Sequence, residues 1–217
     1  MVLSFGIDQD NPASTGVVYV KVAGVTYDFY DYDIDIDSLI LDNYYGGYQA
    51  TQELILNGHK EIGFIGNIYA TSSIADRFLG CYRALIDHNI KWNEAYYISD
   101  RLSDGILINI ELPEKLPTAF VCNNDYVAYR FIKLLEEKNI KVPDDISIVS
   151  FDNTLFSVIN RPQITSIDNN VDEAVEIACK VIMKKLNANN KRYGRILISG
   201  KIIKRESVKN INGQDNI

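Results

Sequence analysis

Short, uniformly apolar segments alternate along this chain with longer segments whose apolar residues recur at helical spacing. Residues 62–66, 119–122 and 146–151 are rich in Ile, Val and Phe, which predicts strands buried on both faces. The segments 72–88 and 125–137 between them predict amphipathic helices. This alternation is typical of an α/β fold with parallel sheets flanked by helices, and we expect two lobes.

Weaker patterns fill in the rest of the fold. They predict strands at 17–23 and 39–41, helices at 46–57 and 171–186, and a final strand or hairpin at 195–204. Gly58 is expected to end the first of these helices, because glycine is common directly after a helix.

The composition restricts the function. The chain has 217 residues, a net charge of −7 and a pI of about 4.9, which disfavours direct contact with a phosphate backbone. No apolar run reaches the roughly 18 residues of a membrane span, and we expect no membrane partner. Cys81, Cys122 and Cys179 are widely spaced in apolar surroundings, which predicts buried thiols in a cytoplasmic protein.

Several kinds of chemistry find no motif in this sequence. It has no glycine-rich phosphate loop, no dinucleotide fingerprint and no nucleophile elbow. His59 and His88 are too far apart to suggest a metal pair, and both lie at the C-terminal ends of predicted helices, where the helix dipole favours them. We therefore predict no catalytic residues, no metal and no cofactor.

An acidic stretch, DYDIDID at 31–37, resembles a calcium-binding loop because Asp31, Asp33 and Asp35 have its first, third and fifth positions. However, Ile36 stands where that loop requires glycine, and Asp42 stands where it requires glutamate. Alternation places the aspartates on one face of an extended segment. We interpret residues 31–37 as a solvated edge.

Polar side chains follow the predicted strands. In open α/β sheets the carboxyl ends of the strands form the ligand-binding edge. The side chains expected there can recognise hydroxyl and amide groups; they are Asp42, Asn43, Asn67, Arg77, Asn123, Asn124, Asp125, Asp152 and Asn153.

The order of these motifs resembles the effector-binding core of LacI/GalR-type transcriptional regulators. The segments that carry the resemblance are LDNYYGGYQATQELILNGHKEIGFIG (41–66), SSIADRFLGCYRAL (72–85), PTAFVCNNDYVAY (117–129), VPDDISIVSFDN (142–153) and RPQITSIDNNVDEAVEIACKVIMKKL (161–186).

This resemblance implies a type I periplasmic binding protein-like fold, with two Rossmann-like lobes that clamp a ligand between them. Placed on this sequence, the first lobe is residues 1–60 and 164–190, and it is incomplete. The second lobe is residues 61–163 and 191–217. The family's helix-turn-helix head is expected to lie outside these residues.

The resemblance also implies ligand-binding residues. Asp42, Arg77, Asn124 and Asp152 match family positions that contact the effector. Arg101 stands where the family often has an aromatic residue that stacks on the ligand, so we expect a sugar phosphate or sugar acid rather than a neutral sugar.

Structural alternatives remain open for the same residues. Asp42 and Asp125 are also suited to cap helices, and Arg77 is suited to pair with Asp76 or Glu111.

The expected function is effector sensing in a bacterial regulator that is not an enzyme. The resemblance implies a small-molecule effector, a homodimer, and operator DNA bound only through the missing head. Two alternatives stay open. One is a solute-binding protein of a sugar transporter, and the other is a carbohydrate-processing enzyme with Asp42 and Asp152 as its acid and base.

Overall fold

A computed structural model describes residues 25–27, 37–187 and 193–213. The described chain divides into two compact units. The first contains the residues up to Asp42 and Asn169–Gly200, and the second contains Asn43–Asp168 and the residues from Lys201 onward.

The first unit is built on a three-stranded parallel sheet. Its strands are β1 (Val25–Tyr27), β2 (Asp37–Leu41) and β8 (Arg195–Ile198), in the order β1-β2-β8. Helix α5 (Val171–Asn187) packs on this sheet through Ala174. Leu39 and Leu41 are buried, as expected for a strand with neighbours on both sides.

The second unit is built on a six-stranded sheet with the order β4-β3-β5-β6-β7-β9. Five strands are parallel to their neighbours, and β9 runs antiparallel to β7. The strands are β3 (Ile62–Ile65), β4 (Tyr97–Ile98), β5 (Ala119–Cys122), β6 (Ser147–Phe151), β7 (Thr165–Asp168) and β9 (Lys201–Ile203). The helices of this unit are α1 (Asn43–Leu56), α2 (Ser72–Asp87), α3 (Asp125–Glu137), α4 (Leu155–Ile159) and a 3-10 turn (Glu94–Tyr96).

Alternate residues of the central strands enter two separate cores. Phe120 of β5 packs in the core that contains Phe131 of α3, whereas Val121 packs in the core that contains Leu54 of α1 and Leu85 of α2. Each face of the sheet is thus covered by helices, which explains why its strands are apolar throughout. The predicted α/β fold with parallel sheets flanked by helices is confirmed.

The packing division differs from the predicted lobe boundaries in three places. Helix α1 packs against α2 and so groups with the second unit, although we predicted residues 1–60 to form the first lobe. Strand β7 belongs to the second unit because it pairs with β6. Strand β8 belongs to the first unit because it pairs with β2, so the segment 195–204 supplies strands to both sheets instead of one hairpin.

Two interpretations of single residues are wrong. Asp37, predicted at a solvated edge, is buried; it pairs with Lys185 and accepts hydrogen bonds from the N–H groups of Tyr193 and Gly194 at 2.9 and 2.8 Å. Burial alone would raise the pKa of Asp37, but these partners lower it below its usual value. Cys179, predicted to be buried, is exposed on α5.

Residues 17–23 and 31–36 of the sequence predictions lie outside the described chain.

Candidate functional site

The candidate site lies at the carboxyl end of the six-stranded sheet of the second unit. Four neighbouring parallel strands, β3 to β6, end here and are followed by polar residues. Buried polar side chains cluster at this edge, as expected where parallel strands end together. They are Asn67, Asp100, Arg101, Asn123, Asn124 and Asp125.

Arg77 of α2 is the centre of one cluster. Its Nε donates to Asn43 Oδ1 at 2.7 Å, and its Nη2 donates to Asp152 Oδ1 at 3.2 Å. Nη1 donates to the carbonyl of Asn123, and the guanidinium lies 4.6 Å from the centre of the Phe151 ring. The side chain is only 5% exposed, so these partners replace most of its hydration. Arg77 thereby links the start of α1 to the ends of β5 and β6.

A close crossing of α1 and α2 brings Asn43 to Arg77. A Cβ atom added at Gly47 would lie 2.0 Å from the carbonyl oxygen of Arg77, and one added at Gly80 would lie 1.9 Å from that of Tyr44. Only glycine leaves room for backbones at this distance. The contact between Asn43 and Arg77 therefore depends on Gly47 and Gly80, which let the two helices approach this closely.

Asp100 is the centre of a second cluster. Its Oδ1 accepts a hydrogen bond from the Asn67 N–H at 2.9 Å, and its Oδ2 accepts from Arg101 Nε and Asn123 Nδ2, both at 2.8 Å. Asp100 and Arg101 are both buried. The guanidinium of Arg101, predicted to face a ligand, is therefore paired with its own neighbour in the chain.

Asn124 caps a helix. Its side-chain oxygen accepts a hydrogen bond from the Val127 N–H at 2.8 Å, which satisfies one of the free donors at the start of α3. The cap at this helix is thus Asn124 rather than Asp125, and the Asn124 oxygen predicted to contact a ligand is already hydrogen-bonded.

The carboxylate of Asp125 is fully buried and accepts hydrogen bonds from hydroxyl and backbone groups. Its Oδ1 accepts from the hydroxyls of Ser150 and Ser166, and its Oδ2 accepts from the N–H and hydroxyl of Thr154. Burial raises the pKa of Asp125 to about 6. The hydrogen bonds from Ser150, Ser166 and Thr154 oppose this shift, and the negative charge of nearby Asp152 adds to it.

Asp42 lies in the first unit, directly after β2. Its N–H donates to the carbonyl of Ile198 at 2.8 Å, and its side chain is half-buried. The next residue along the chain is Asn43, the first residue of α1.

Sequence reasoning noted several of these residues at strand ends but did not select them as site residues. Asn43, Asn123 and Asp125 follow apolar strands, and that pattern identified the region. Asp100 gave no such signal, because β4 before it has only two residues. Arg77 and Asp152 were both predicted as site residues, and the structure brings them together in an ion pair. The partner of Arg77 is thus Asp152 rather than Asp76 or Glu111.

The fold and these clusters define an α/β domain with buried polar groups at its strand ends. Residues 51–208 match the model of the periplasmic binding protein-like domain. This chain belongs to the periplasmic binding protein-like domain family, and its predicted resemblance to LacI/GalR-type regulators is confirmed.

Individual relatives are consistent with this assignment. The chain is 33% identical over 178 residues to the HTH-type transcriptional repressor PurR of Histophilus somni, an alignment that covers 80% of this chain and 54% of that protein. The solved structure of the regulator CcpA of Lactococcus lactis is 25% identical, with a TM-score of 0.73, and the match covers 85% of this chain and 69% of that one. A LacI family regulator of Enterococcus faecium with bound ribose is 21% identical, with a TM-score of 0.73, and the match covers 87% and 71%. The chain spans about half the length of the curated relatives it matches.

Among the described residues, no helix combines the length and the apolar character needed to cross a membrane.

Proposed function

We propose that this chain is the effector-sensing domain of a bacterial transcriptional regulator and binds a sugar or sugar derivative at the strand-end clusters. Ligand binding would shift the conformational equilibrium of the domain, and a DNA-binding head of the whole protein would respond. We further propose that the whole protein acts in the cytoplasm and contacts operator DNA only through that head.

The observation that carries the proposal is the Arg77 cluster. Its charged and amide groups are held by one another in fixed positions, so their orientation does not have to be set when a ligand arrives. Asp152 and Asn43 offer carboxylate and amide groups, which suit ligand hydroxyls. The ribose bound to the regulator of Enterococcus faecium supports a hydroxyl-rich ligand for this chain.

A carbohydrate-processing enzyme is disfavoured by the same geometry. A catalytic pair of carboxyl groups needs two different environments, so that one group is protonated as the general acid and the other is ionised as the general base. Of the two carboxylates considered for that role, Asp42 and Asp152, the carboxylate of Asp152 is instead paired with Arg77. The relatives named as transcriptional repressors support a binding role without turnover.

We also propose self-association through α4. Leu155 and Ile159 of this short helix are 68% and 52% exposed, and Phe156 packs beside Tyr126 and Tyr129 of α3. Exposed apolar groups on an aromatic base are typical of a protein contact surface. A homodimer formed there would be detected by sedimentation velocity, and Leu155→Glu should shift it to monomer.

A thermal-shift screen tests the proposed function. The panel is D-ribose, cellobiose, D-xylulose, ribose 5-phosphate, gluconate and hypoxanthine, each with the whole protein. A ligand at about 100 times its Kd should add about 2.7 kcal/mol of stability. Arg77→Met should abolish the shift, whereas the matched control Arg83→Met, on the exposed face of the same helix, should preserve it.

Three results of this screen are informative. A shift that survives Arg77→Met would place the ligand elsewhere, and chemical conversion of the ligand would establish an enzyme. The preference for an acidic ligand, predicted from Arg101, is tested by comparing ribose 5-phosphate with ribose. Weaker binding of the phosphate would contradict that prediction.

A further inference from the structure

Asp125 is a buried carboxylate whose hydrogen-bond donors are all uncharged. Three hydroxyl groups and one backbone N–H supply them, and they come from β6, β7 and the loop after β6. The side chain has no exposed surface. Carboxylates are seldom buried in this way without a cation, because hydroxyl groups replace water incompletely.

The loop that Asp125 contacts has an unusual backbone. Asp152 and Asn153 are consecutive residues with φ of 93° and 47°. Residues other than glycine seldom adopt this backbone region. Such conformations persist when surrounding contacts fix them. Here the Thr154 N–H donates to Asp125 at 2.6 Å, and the Asn153 N–H donates to the Ser166 hydroxyl at 3.1 Å.

These contacts form one continuous path to the candidate site. Ser166 donates to Asp125 at 2.7 Å and also accepts the Asn153 N–H, so both anchors of the loop converge on one carboxylate. The loop in turn presents Asp152, which accepts the hydrogen bond from Arg77.

We propose that Asp125 is a positioning residue, which fixes the left-handed turn at 152–153 and thereby holds the Asp152 carboxylate against Arg77. It acts through the loop and does not itself contact a ligand. This inference rests on the proposed function for its purpose, since Asp152 is the group we assign to ligand binding.

A positioning role is separable from a structural one. Burial raises the pKa of Asp125 to about 6, so the charged form is less favourable in the folded chain than in the unfolded chain. The ionisable group that acts on it is Asp152, whose charge raises its pKa further. The charge of Asp125 in turn raises the pKa of the neighbouring Cys122 thiol, which burial already raises. An amide at this position retains an acceptor for Thr154 without the buried charge. Asp125→Asn should therefore loosen the loop without lowering overall stability.

Hydrogen–deuterium exchange of the whole chain tests this at pH 7.5. In Asp125→Asn, we expect protection of the Thr154 amide to fall at least tenfold, because a neutral acceptor forms a weaker bond than a carboxylate. Protection of β5 amides and the urea midpoint should stay at or above their wild-type values. The control Asp87→Asn, at the exposed end of α2, should change neither.

Two results of this comparison with Asp125→Asn would overturn the proposal. One is unchanged protection of Thr154 in Asp125→Asn. The other is an equal loss of protection in β5 and in the loop, which would show that Asp125 supports the whole unit rather than the turn.

The pH profile of the wild-type chain gives a second readout that needs no variant. Protection of Thr154 should decrease as pH falls through about 6, and in Asp125→Asn it should not change over that range. A flat wild-type profile would contradict the proposal. Neither readout uses a ligand, so an empty thermal-shift screen would count against the proposed function and leave this result standing.

Discussion

Gly80→Ala should destabilise the second unit by about 2 kcal/mol. The new Cβ would lie 1.9 Å from the carbonyl oxygen of Tyr44, and ordinary contact begins at 3.4 Å, so the two helices must separate by about 1.5 Å. The obstacle is backbone, which cannot rotate away as a side chain does. Overpacking of this kind costs about 3 kcal/mol at the upper end of its usual range, and alanine returns about 1 kcal/mol through its higher helix propensity.

Gly46→Ala is the matched control, because it lies in the same pair of helices and gains the same propensity. Its Cβ would meet Cε1 of the Phe151 ring at 3.1 Å, a contact that a small ring movement relieves. We expect Gly46→Ala to lie within about 1 kcal/mol of wild type. Urea unfolding followed by circular dichroism measures both variants. If Gly80→Ala is as stable as Gly46→Ala, the close crossing of α1 and α2 is refuted.

Two further predictions concern buried charge. Asp152→Asn should cost about 3 kcal/mol in urea unfolding because it leaves the Arg77 guanidinium buried without a carboxylate. The double variant with Arg77→Met should lose less stability than the sum of the two single variants. Additive losses would contradict the pairing. Burial lowers the pKa of His59, against the hydrogen bond to the Lys209 carbonyl, so the neutral ring is favoured in the folded chain. The stability that comes from this neutral ring is complete above about pH 6.5 and is lost as pH falls below that value. His59→Gln should therefore lose less stability between pH 7 and pH 5 than the wild-type chain. Equal losses in urea unfolding would refute this prediction.

The fold was largely predictable because burial on both faces leaves a local signal. The predicted strand 119–122 and helix 125–137 have the observed bounds, and the strand predicted at 62–66 ends one residue earlier. The start of α1 was predicted at 46 and lies at Asn43, since two tyrosines and two glycines obscure the helical pattern. The glycines are there for contact with α2, which local spacing cannot reveal.

Long-range pairing limited the rest of the prediction. The segment 195–204 has the composition of a strand, but its two halves join different sheets, and only the pairing partners β2 and β7 decide this. In the same way, the polar residues after the predicted strands indicated the region of the site but not which side chains hydrogen-bond to one another there. It selected Asn124, whose oxygen caps α3, and it did not select Asp100, which has three hydrogen-bond donors.

The hydrogen bonds of Arg77 and of Asp125 both involve residues that lie close to the places where the chain passes between the two units. The chain passes from one unit to the other after Asp42, after Asp168 and after Gly200. Asn43, held by Arg77, is the first residue after one passage, and Ser166, which donates to Asp125, lies two residues before the next. A ligand that competes for Asp152 or Arg77 would therefore perturb hydrogen bonds of residues that lie within two positions of two of these three passages. For this reason we expect a ligand bound at the strand ends to change hydrogen bonds beside these passages without any chemical conversion, and a shift of the domain's conformational equilibrium needs no more than such a difference in contacts.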